Sequence, residues 1–294
     1  MSEPTGPGPT VRRRQLGLEL RRLREARGIT RDEAAEYVGV QPPTLSRIEL
    51  GRQGIRVANI RLLLMLYRVE SPEADALLRL AGEASQRGWW ASYGDTMPDW
   101  FRSFVGLEAD AAEIWSYVNE LVPGLLQTPD YARAVIRAVH PSTTDAELER
   151  QVELRRARQN RLREADPPRY RALLNEAVLH RMVGGPDVMA AQLTHLEHVA
   201  ALPHVNLRVI TFAVGAHPVM AGPFTVLRFP DEPRSNCVYI DNDRGALYLE
   251  RPADLDHYTD TFERTAAVAL DEQASRALIV ATLREQARAR EGGP

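Results

Sequence analysis

Apolar residues in the first third of the chain recur at helical spacing and are interrupted by Gly or Pro. Leu16, Leu20 and Leu23 follow the i, i+4, i+7 pattern of a buried helix face. Similar patterns cover residues 55–67 and 72–84. Because each pattern is short and is bounded by helix-terminating residues, this part of the chain is predicted to form an all-α bundle of five helices.

The rest of the chain mixes two apolar periods. Helical spacing predicts helices over residues 130–140, 145–165 and 186–202. Between Val205 and Glu250, short β-branched and aromatic runs alternate with turns rich in Gly, Pro, Asp and Asn, which is typical of an antiparallel meander. The predicted fold class is therefore multidomain: the five-helix head is followed by a mixed α+β domain with a mainly antiparallel sheet.

Changes in composition divide the chain into segments. Pro and Gly dominate its start, and three of the four Trp fall in one aromatic-rich stretch between the two predicted domains. We expect this stretch to be ordered and to pack on the second domain, because aromatic rings bury a large area. The predicted segments are a disordered arm (1–11), a helical head (12–85), an aromatic-rich linker (86–104), an α+β domain (105–290) and a tail (291–294).

Composition excludes several classes of protein. No apolar run reaches the ~18 residues of a membrane-spanning helix, and the Pro- and Arg-rich start predicts no secretory signal. The single cysteine, Cys237, excludes an internal disulfide framework and a cysteine-cluster zinc site. These features favour the reducing cytoplasm. The common phosphate-binding, metalloprotease and hydrolase motifs are missing, so we expect neither an enzyme nor a cofactor.

Charge is unevenly distributed along the chain. The net charge is −3, and all 37 basic residues are Arg because the sequence contains no Lys. Residues 1–68 hold 13 Arg against 7 Asp or Glu, so the remainder is strongly acidic. A basic head joined to an acidic body indicates that the head alone meets a polyanion.

Residues 30–51 carry the most informative motif. Thr30 and Glu33 have the spacing of a capping box at a helix start, and a sharp turn and a second helix with inward Leu45 and Ile48 follow. Two helices joined by a short Gly-containing turn form a helix-turn-helix. The string TRDEAAEYVGVQPPTLSRIELGR resembles the helix-turn-helix of the Cro/repressor-like (XRE) family.

The helix-turn-helix geometry indicates which side chains meet double-stranded DNA. The second helix enters the major groove, and its first outward side chains reach base edges. Many relatives carry polar, base-reading residues where this chain has Pro42-Pro43, but Pro is allowed in a first helical turn. Candidate base contacts are Gln41, Pro42, Thr44, Ser46 and Arg47, and candidate phosphate contacts are Arg31 and Arg52.

The resemblance also implies a structural ion pair. In the XRE family a first-helix Arg pairs with a Glu at the end of the recognition helix, and Arg24 and Glu49 match those positions. We expect Glu49 to orient helices rather than to read bases. Arg24 is expected to lie near a phosphate as well.

The second domain resembles that of WhiJ-like, antitoxin-like actinobacterial regulators. The resemblance rests on strings such as Gly88-Trp89-Trp90, LVPGLLQTPDYARA at residues 121–134 and PFTVLRFP at residues 223–230. Together with the head, it predicts a cytoplasmic, nucleoid-associated transcriptional regulator that binds specific DNA sequences as a homodimer. Its second domain is expected to bind a small cognate protein or a small-molecule effector.

Two other functions stay open. An antitoxin-like protein would chiefly sequester a small cognate protein and use DNA binding for autoregulation. A tethered enzyme would depend on residues such as Glu176 or His217, although a turn histidine bonding its own backbone is the favoured interpretation of His217. His195 and His198 have i, i+3 spacing, but no Cys or carboxylate pattern completes a tetrahedral site, so no metal is expected.

Overall fold

The computed structural model describes residues 9–86, 88–230 and 233–291. Residues 1–8 of the predicted arm and residues 292–294 of the predicted tail lie outside the described residues. The first helix begins at Pro9, inside the predicted arm. Pro suits a first helical turn, where its missing N–H group is not needed.

Contacts between residues divide the chain into two compact units. The first holds the described residues up to Gly94 together with Asp99–Asp110 and Phe229–Ser235, and the second holds Asp95–Pro98, Ala111–Arg228 and the described residues from Asn236 onward. The predicted linker is therefore not one segment in the structure. Its boundary at residue 104 falls inside a helix of the first unit.

The first unit is helical. Its helices are α1 (Pro9–Ala26), α2 (Arg31–Tyr37), α3 (Pro42–Glu49), α4 (Val57–Leu66), α5 (Glu73–Ala84) and α6 (Asp99–Asp110), with a short 3₁₀ helix at Trp89–Tyr93. The core lies among α1 to α5, and Leu20, Leu45 and Leu63 are completely buried there. The inward positions predicted from helical spacing are thus the ones that form the core.

The prediction of a head with five helices is wrong, because α6 belongs to the same unit. The N–H group of Val11 on α1 donates to the Asp110 carboxylate at 3.2 Å. A side chain at Gly106 of α6 would overlap Thr10 on α1 and the Trp90 ring. Helical spacing alone did not show that α1 buries this second face.

The second unit combines helices with one sheet. Its strands are β1 (Glu113–Val118), β2 (Arg169–Asn175), β3 (Val205–Ile210), β4 (Phe224–Arg228), β5 (Cys237–Asn242) and β6 (Gly245–Leu249). Its helices are α7 (Pro129–Val139), α8 (Asp145–Gln159), α9 (Ala177–His180), α10 (Pro186–Val199), α11 (Pro252–Val268) and α12 (Glu272–Glu291). Among the described residues, the strand order is β3-β2-β1-β4-β5-β6.

The sheet is mixed, so the prediction of a mainly antiparallel sheet is wrong. β1 pairs with β2 and β2 with β3 in parallel, whereas β4, β5 and β6 are added antiparallel beside β1. Parallel neighbours need crossover connections, and the predicted helices α7, α8 and α10 lie in those crossovers. The sequence analysis missed β1 and β2, and without them no parallel pair was visible.

The loop at residues 122–128 lies inside the second unit and is held by Gln side chains. Gln127 donates to the Val122 carbonyl at 2.6 Å, and Gln159 donates to the carbonyls of Gly124 and Gln127 at 3.0 and 2.7 Å. Gln192, completely buried on α10, donates to the Leu126 carbonyl and accepts from the Thr128 N–H group, both at 2.7 Å. The loop portion of the string LVPGLLQTPDYARA is therefore held in place by side-chain hydrogen bonds within the second unit.

Candidate nucleic-acid interface

The turn between α2 and α3 is set by local chemistry. The Thr30 backbone N–H group donates to the Glu33 carboxylate at 2.7 Å, and the Glu33 N–H group donates to the Thr30 hydroxyl at 3.2 Å. This reciprocal capping box, predicted from the sequence, lowers the pKa of Glu33. Gly39 ends α2 with a φ of 69°, a left-handed conformation that other residues adopt at a cost.

The recognition helix α3 runs from Pro42 to Glu49. Gln41 is its N-cap residue but its side chain does not cap the helix, and Pro42 and Pro43 occupy the first turn. Gly51 follows the helix with a φ of 65°. The Arg52 N–H group then donates to the Arg47 carbonyl at 2.8 Å, which closes the last turn.

The surface of α3 divides into a buried and an exposed side. Leu45, Ile48 and Glu49 are buried. The exposed residues at the predicted DNA surface are Gln41, Pro43 and Arg47, and the half-buried ones are Pro42, Thr44 and Ser46. Arg47 donates to the Thr44 hydroxyl at 3.3 Å, so these two predicted base contacts lie side by side.

The sequence analysis named Pro42 as a candidate base contact and did not name Pro43. The structure exposes Pro43 and half-buries Pro42. Pro43 and Arg47 are four residues apart, which places them on the same face of the helix. Counting helical turns back from Arg47 is the signal that identifies Pro43.

The two predicted phosphate contacts, Arg31 and Arg52, are both exposed. Arg31 is the first residue of α2, and Arg52 follows the Gly51 turn. The Arg31 Nε atom also lies 3.7 Å from Glu49 Oε2. Arg31 is therefore exposed at the surface and also close enough to Glu49 to interact electrostatically with the Arg24–Glu49 ion pair.

Arg24 and Glu49 form a buried two-point ion pair between α1 and α3. The Nε and Nη2 atoms of Arg24 lie 2.6 and 3.0 Å from the two carboxylate oxygens of Glu49. The side chains are 7% and 2% exposed, respectively. The hydrogen bonds to Glu49 raise the pKa of Arg24. The third nitrogen of Arg24, Nη1, donates to the Ile29 carbonyl at 3.0 Å, so one side chain fixes both α3 and the connection to α2.

Close backbone contact with α1 also fixes α3. A Cβ atom at Gly17 of α1 would lie 2.5 Å from the Ile48 carbonyl oxygen and 2.7 Å from that of Glu49. A Cβ atom at Gly51 would lie 2.5 Å from the Cα atom of Arg14. Only glycine permits this approach, so the angle between α1 and α3 depends on glycine at both positions.

In the second unit, Glu176, His198 and His217 each contact different groups. Glu176 accepts a hydrogen bond from the Phe212 N–H group at 2.6 Å. His217 contacts the Tyr117 ring, burial lowers its pKa, and its Nδ1 atom makes no hydrogen bond to any described residue, unlike the backbone bond expected of a turn histidine. His198 bonds the Thr194 carbonyl. Within the described residues, no three His, Cys, Asp or Glu side chains are grouped as metal ligands.

Comparison with known families identifies both parts of the chain. A family described as "Helix-turn-helix domain" matches residues 15–77, the segment that contains α1 to α4 almost entirely and the start of α5. A family described as "Domain of unknown function (DUF5753)" matches residues 101–281, which is more than half of the chain. Neither the curated proteins nor the solved structures gave a match. Among the described helices, none is both long and apolar enough to cross a membrane.

Proposed function

The chain belongs to the DUF5753 family and carries a helix-turn-helix domain, and from these premises we propose that it is a sequence-specific, DNA-binding transcriptional regulator of XRE type. The head reads DNA through α3. The base-reading side chains are Gln41, Thr44 and Arg47, with Pro43 and the half-buried Pro42 and Ser46 beside them. Arg31 and Arg52 hold phosphates. We assign no catalytic activity to the chain.

One observation carries this proposal: α3 presents exposed polar groups while its other side is locked to α1. Arg47 offers a guanidinium that matches the two acceptors of guanine, and Gln41 suits adenine. The Arg24–Glu49 pair and the Gly17 contact hold the helix from its buried side. A rigid helix with an outward face of this chemistry suits readout of the major groove.

The proposal extends to the whole protein. The regulator acts in the cytoplasm, on the nucleoid, as a homodimer that places two α3 helices about 34 Å apart on neighbouring major grooves. The second domain binds a small cognate protein or a small-molecule effector and so alters DNA binding. Its resemblance to WhiJ-like, antitoxin-like actinobacterial regulators supports this role.

The test begins with DNA selected from a random library by the full chain. We expect an enriched sequence, bound with a steep loss of affinity as salt rises, because Arg–phosphate contacts release counterions. Arg47→Ala weakens binding to that sequence by about 1–3 kcal/mol and weakens scrambled DNA much less. The matched control is Arg79→Ala, which removes an exposed charge from α5 of the same unit.

Three results would contradict parts of the proposal. If no sequence is enriched, specific DNA recognition is wrong. If Arg47→Ala weakens both DNAs equally, Arg47 binds phosphate rather than a base. If the chain instead forms a tight, salt-insensitive complex with a small protein encoded beside it and has no preferred DNA, the antitoxin-like function replaces the regulator.

A further inference from the structure

The first turn of α3 offers no backbone donor to DNA. Pro42 and Pro43 have no N–H group, and the N–H groups of Thr44 and Leu45 donate to the Gln41 carbonyl at 2.8 and 3.1 Å. The start of a helix commonly binds a phosphate through its free N–H groups. Since the N–H groups at residues 42–45 are missing or already bonded, the start of α3 is suited to base edges rather than to the DNA backbone.

An apolar ring and a guanidinium group lie on the same exposed face of α3. Pro43 and Arg47 are both exposed and are four residues apart, which places them one turn from each other. The Arg47 Nη2 atom donates to the Thr44 hydroxyl at 3.3 Å, so the guanidinium reaches back to the residue that follows Pro43. The two side chains therefore present their chemistry to the same short stretch of DNA.

The major groove offers one partner that suits each of these groups. Guanine presents two acceptors to an arginine, and thymine is the only one of the four ordinary bases with a methyl group there. A proline ring beside a polar base edge would displace water without forming a hydrogen bond, which is unfavourable. Pro43 is therefore expected to favour a 5-methylpyrimidine over adenine, cytosine or guanine at the position that it faces.

We propose that Pro43 reads the 5-methyl group of a pyrimidine and that Arg47 reads a guanine in the neighbouring base pair. This assignment rests on the proposed function, because it requires α3 to lie in the major groove. Four residues span about 6 Å along an α-helix, and the backward reach of Arg47 shortens that distance. Stacked base pairs are about 3.4 Å apart, so the two side chains face successive base pairs.

The first experiment uses the DNA sequence that the full chain selects from a random library. Each thymine that neighbours a guanine is replaced in turn by deoxyuridine, which lacks only the methyl group. At one such thymine we expect the wild type to bind about fourfold more weakly for each half-site changed, the factor that burial of one methyl group supplies. Equal affinity for thymine and deoxyuridine at every such position overturns the proposal.

Cytosine and 5-methylcytosine at that position separate the two sources of the methyl group. If 5-methylcytosine DNA binds more tightly than cytosine DNA by a similar factor, the methyl group is read in both bases. Equal affinity for these two DNAs, together with the loss on deoxyuridine, supports thymine as the source.

Variants of the prolines assign the methyl contact to one residue. Pro43→Ser replaces the ring with a small polar side chain that the start of a helix accepts, and we expect it to bind thymine and deoxyuridine DNA equally. The matched control is Pro252→Ser, another exposed proline in a first helical turn, on α11 of the second unit, and it should keep the wild-type ratio. If Pro42→Ser loses the ratio and Pro43→Ser keeps it, the assignment to Pro43 is overturned. The deoxyuridine comparison uses the wild type, so it decides the methyl contact even if a variant does not fold.

The methyl contact and the DNA function fail in distinguishable ways. If a sequence is enriched but contains no thymine beside a guanine, or binds equally well with deoxyuridine, this inference is overturned and the regulator is kept. If no sequence is enriched, the proposed function is wrong and the inference is overturned with it. An enriched site whose affinity depends on one thymine methyl group in the wild type, but not in Pro43→Ser, supports both.

Discussion

The helix α3 and the loop at residues 122–128 are both held by buried side chains, but with different chemistry. A charged pair, Arg24 and Glu49, fixes α3 from its inner side. Three neutral Gln side chains surround the loop and bond its backbone. The helix must leave one face exposed, so few contacts hold it in place. The loop is enclosed, and its position depends on many contacts.

This difference teaches how each region should respond to a single change. A buried charge without its partner is strongly unfavourable, because the interior solvates charge poorly. A buried neutral group without its partner costs less. The head is therefore expected to be the region more sensitive to the loss of one polar group.

The largest effect is expected from Arg24→Met. It leaves the buried Glu49 carboxylate with only Arg31, whose Nε atom lies 3.7 Å from Glu49 Oε2, and should lower the free energy of unfolding by about 3–5 kcal/mol. The double variant Arg24→Met with Glu49→Met removes both charges and should recover most of that loss. Urea unfolding of the full chain, followed by circular dichroism, measures both.

Arg22→Met is the control for this prediction. Arg22 contacts Glu19 at 2.6 Å and Glu73 at 2.7 Å, but its side chain is 51% exposed. Surface ion pairs contribute about 0–1 kcal/mol, so this variant should stay close to wild type. If Arg22→Met and Arg24→Met cost the same, burial of the pair does not explain the stability of the head.

A smaller loss is expected from Gln192→Met, which keeps the side-chain volume and removes two hydrogen bonds to the loop. The Leu126 carbonyl and the Thr128 N–H group then lose their partner, at about 1–3 kcal/mol. The same unfolding measurement applies. Gln273→Met, exposed on α12, is the control and should leave stability unchanged; a loss larger than that of Arg24→Met would reverse the proposed contrast.

The smallest effect is expected at the capping boxes that the two units share. Hydrogen bonds from Thr30 and Thr144 lower the pKa of Glu33 and Glu147. A carboxyl group with a lowered pKa stabilises the fold above its unfolded pKa, near 4.5, and the stabilisation disappears as pH falls through the lower, folded pKa. Glu33→Gln and Glu147→Gln should thus be slightly destabilising at pH 7, and their difference from wild type should shrink as pH falls below 4.5.

If Glu33→Gln and Glu147→Gln change stability with pH in the same way, local capping does not distinguish the two units, and the contrast between them lies in their buried polar contacts. Both boxes use the same local spacing, a Thr followed three residues later by Glu. Unequal pH profiles would show that tertiary surroundings control even these exposed caps. Only the Thr30 box entered the sequence analysis, although Thr144 and Glu147 carry the same signal.

Prediction was most successful where the deciding contacts are close along the chain. The start of α2 follows from Thr30 and Glu33, and the ends of α2 and α3 follow from the glycines after them. The Arg24–Glu49 pair was implied by family resemblance, and these two side chains form the pair in the structure, where both are also buried. In the second unit, the predicted helices α7 and α10 are present within three residues of their expected ends, whereas α8 starts as expected and ends at Gln159, six residues early.

Prediction failed where distant segments decide the outcome. β1 is buried between β2 and β4, and its Trp115 ring lies between the guanidinium groups of Arg171 and Arg228, at 4.4 and 4.3 Å. Those two arginines belong to β2 and β4, far along the chain. No local pattern in EIWSYV indicates that such residues lie beside it, so the parallel half of the sheet was not predicted.

The sequence by itself determined the helix-turn-helix, its caps and its basic character, because capping, turns and charge act over a few residues. Only the tertiary structure decided that Gly17 brings α1 against α3 and that β1, β2 and β3 run parallel. Each of these depends on which surfaces exclude water from one another, and that is settled when distant parts of the chain pack together.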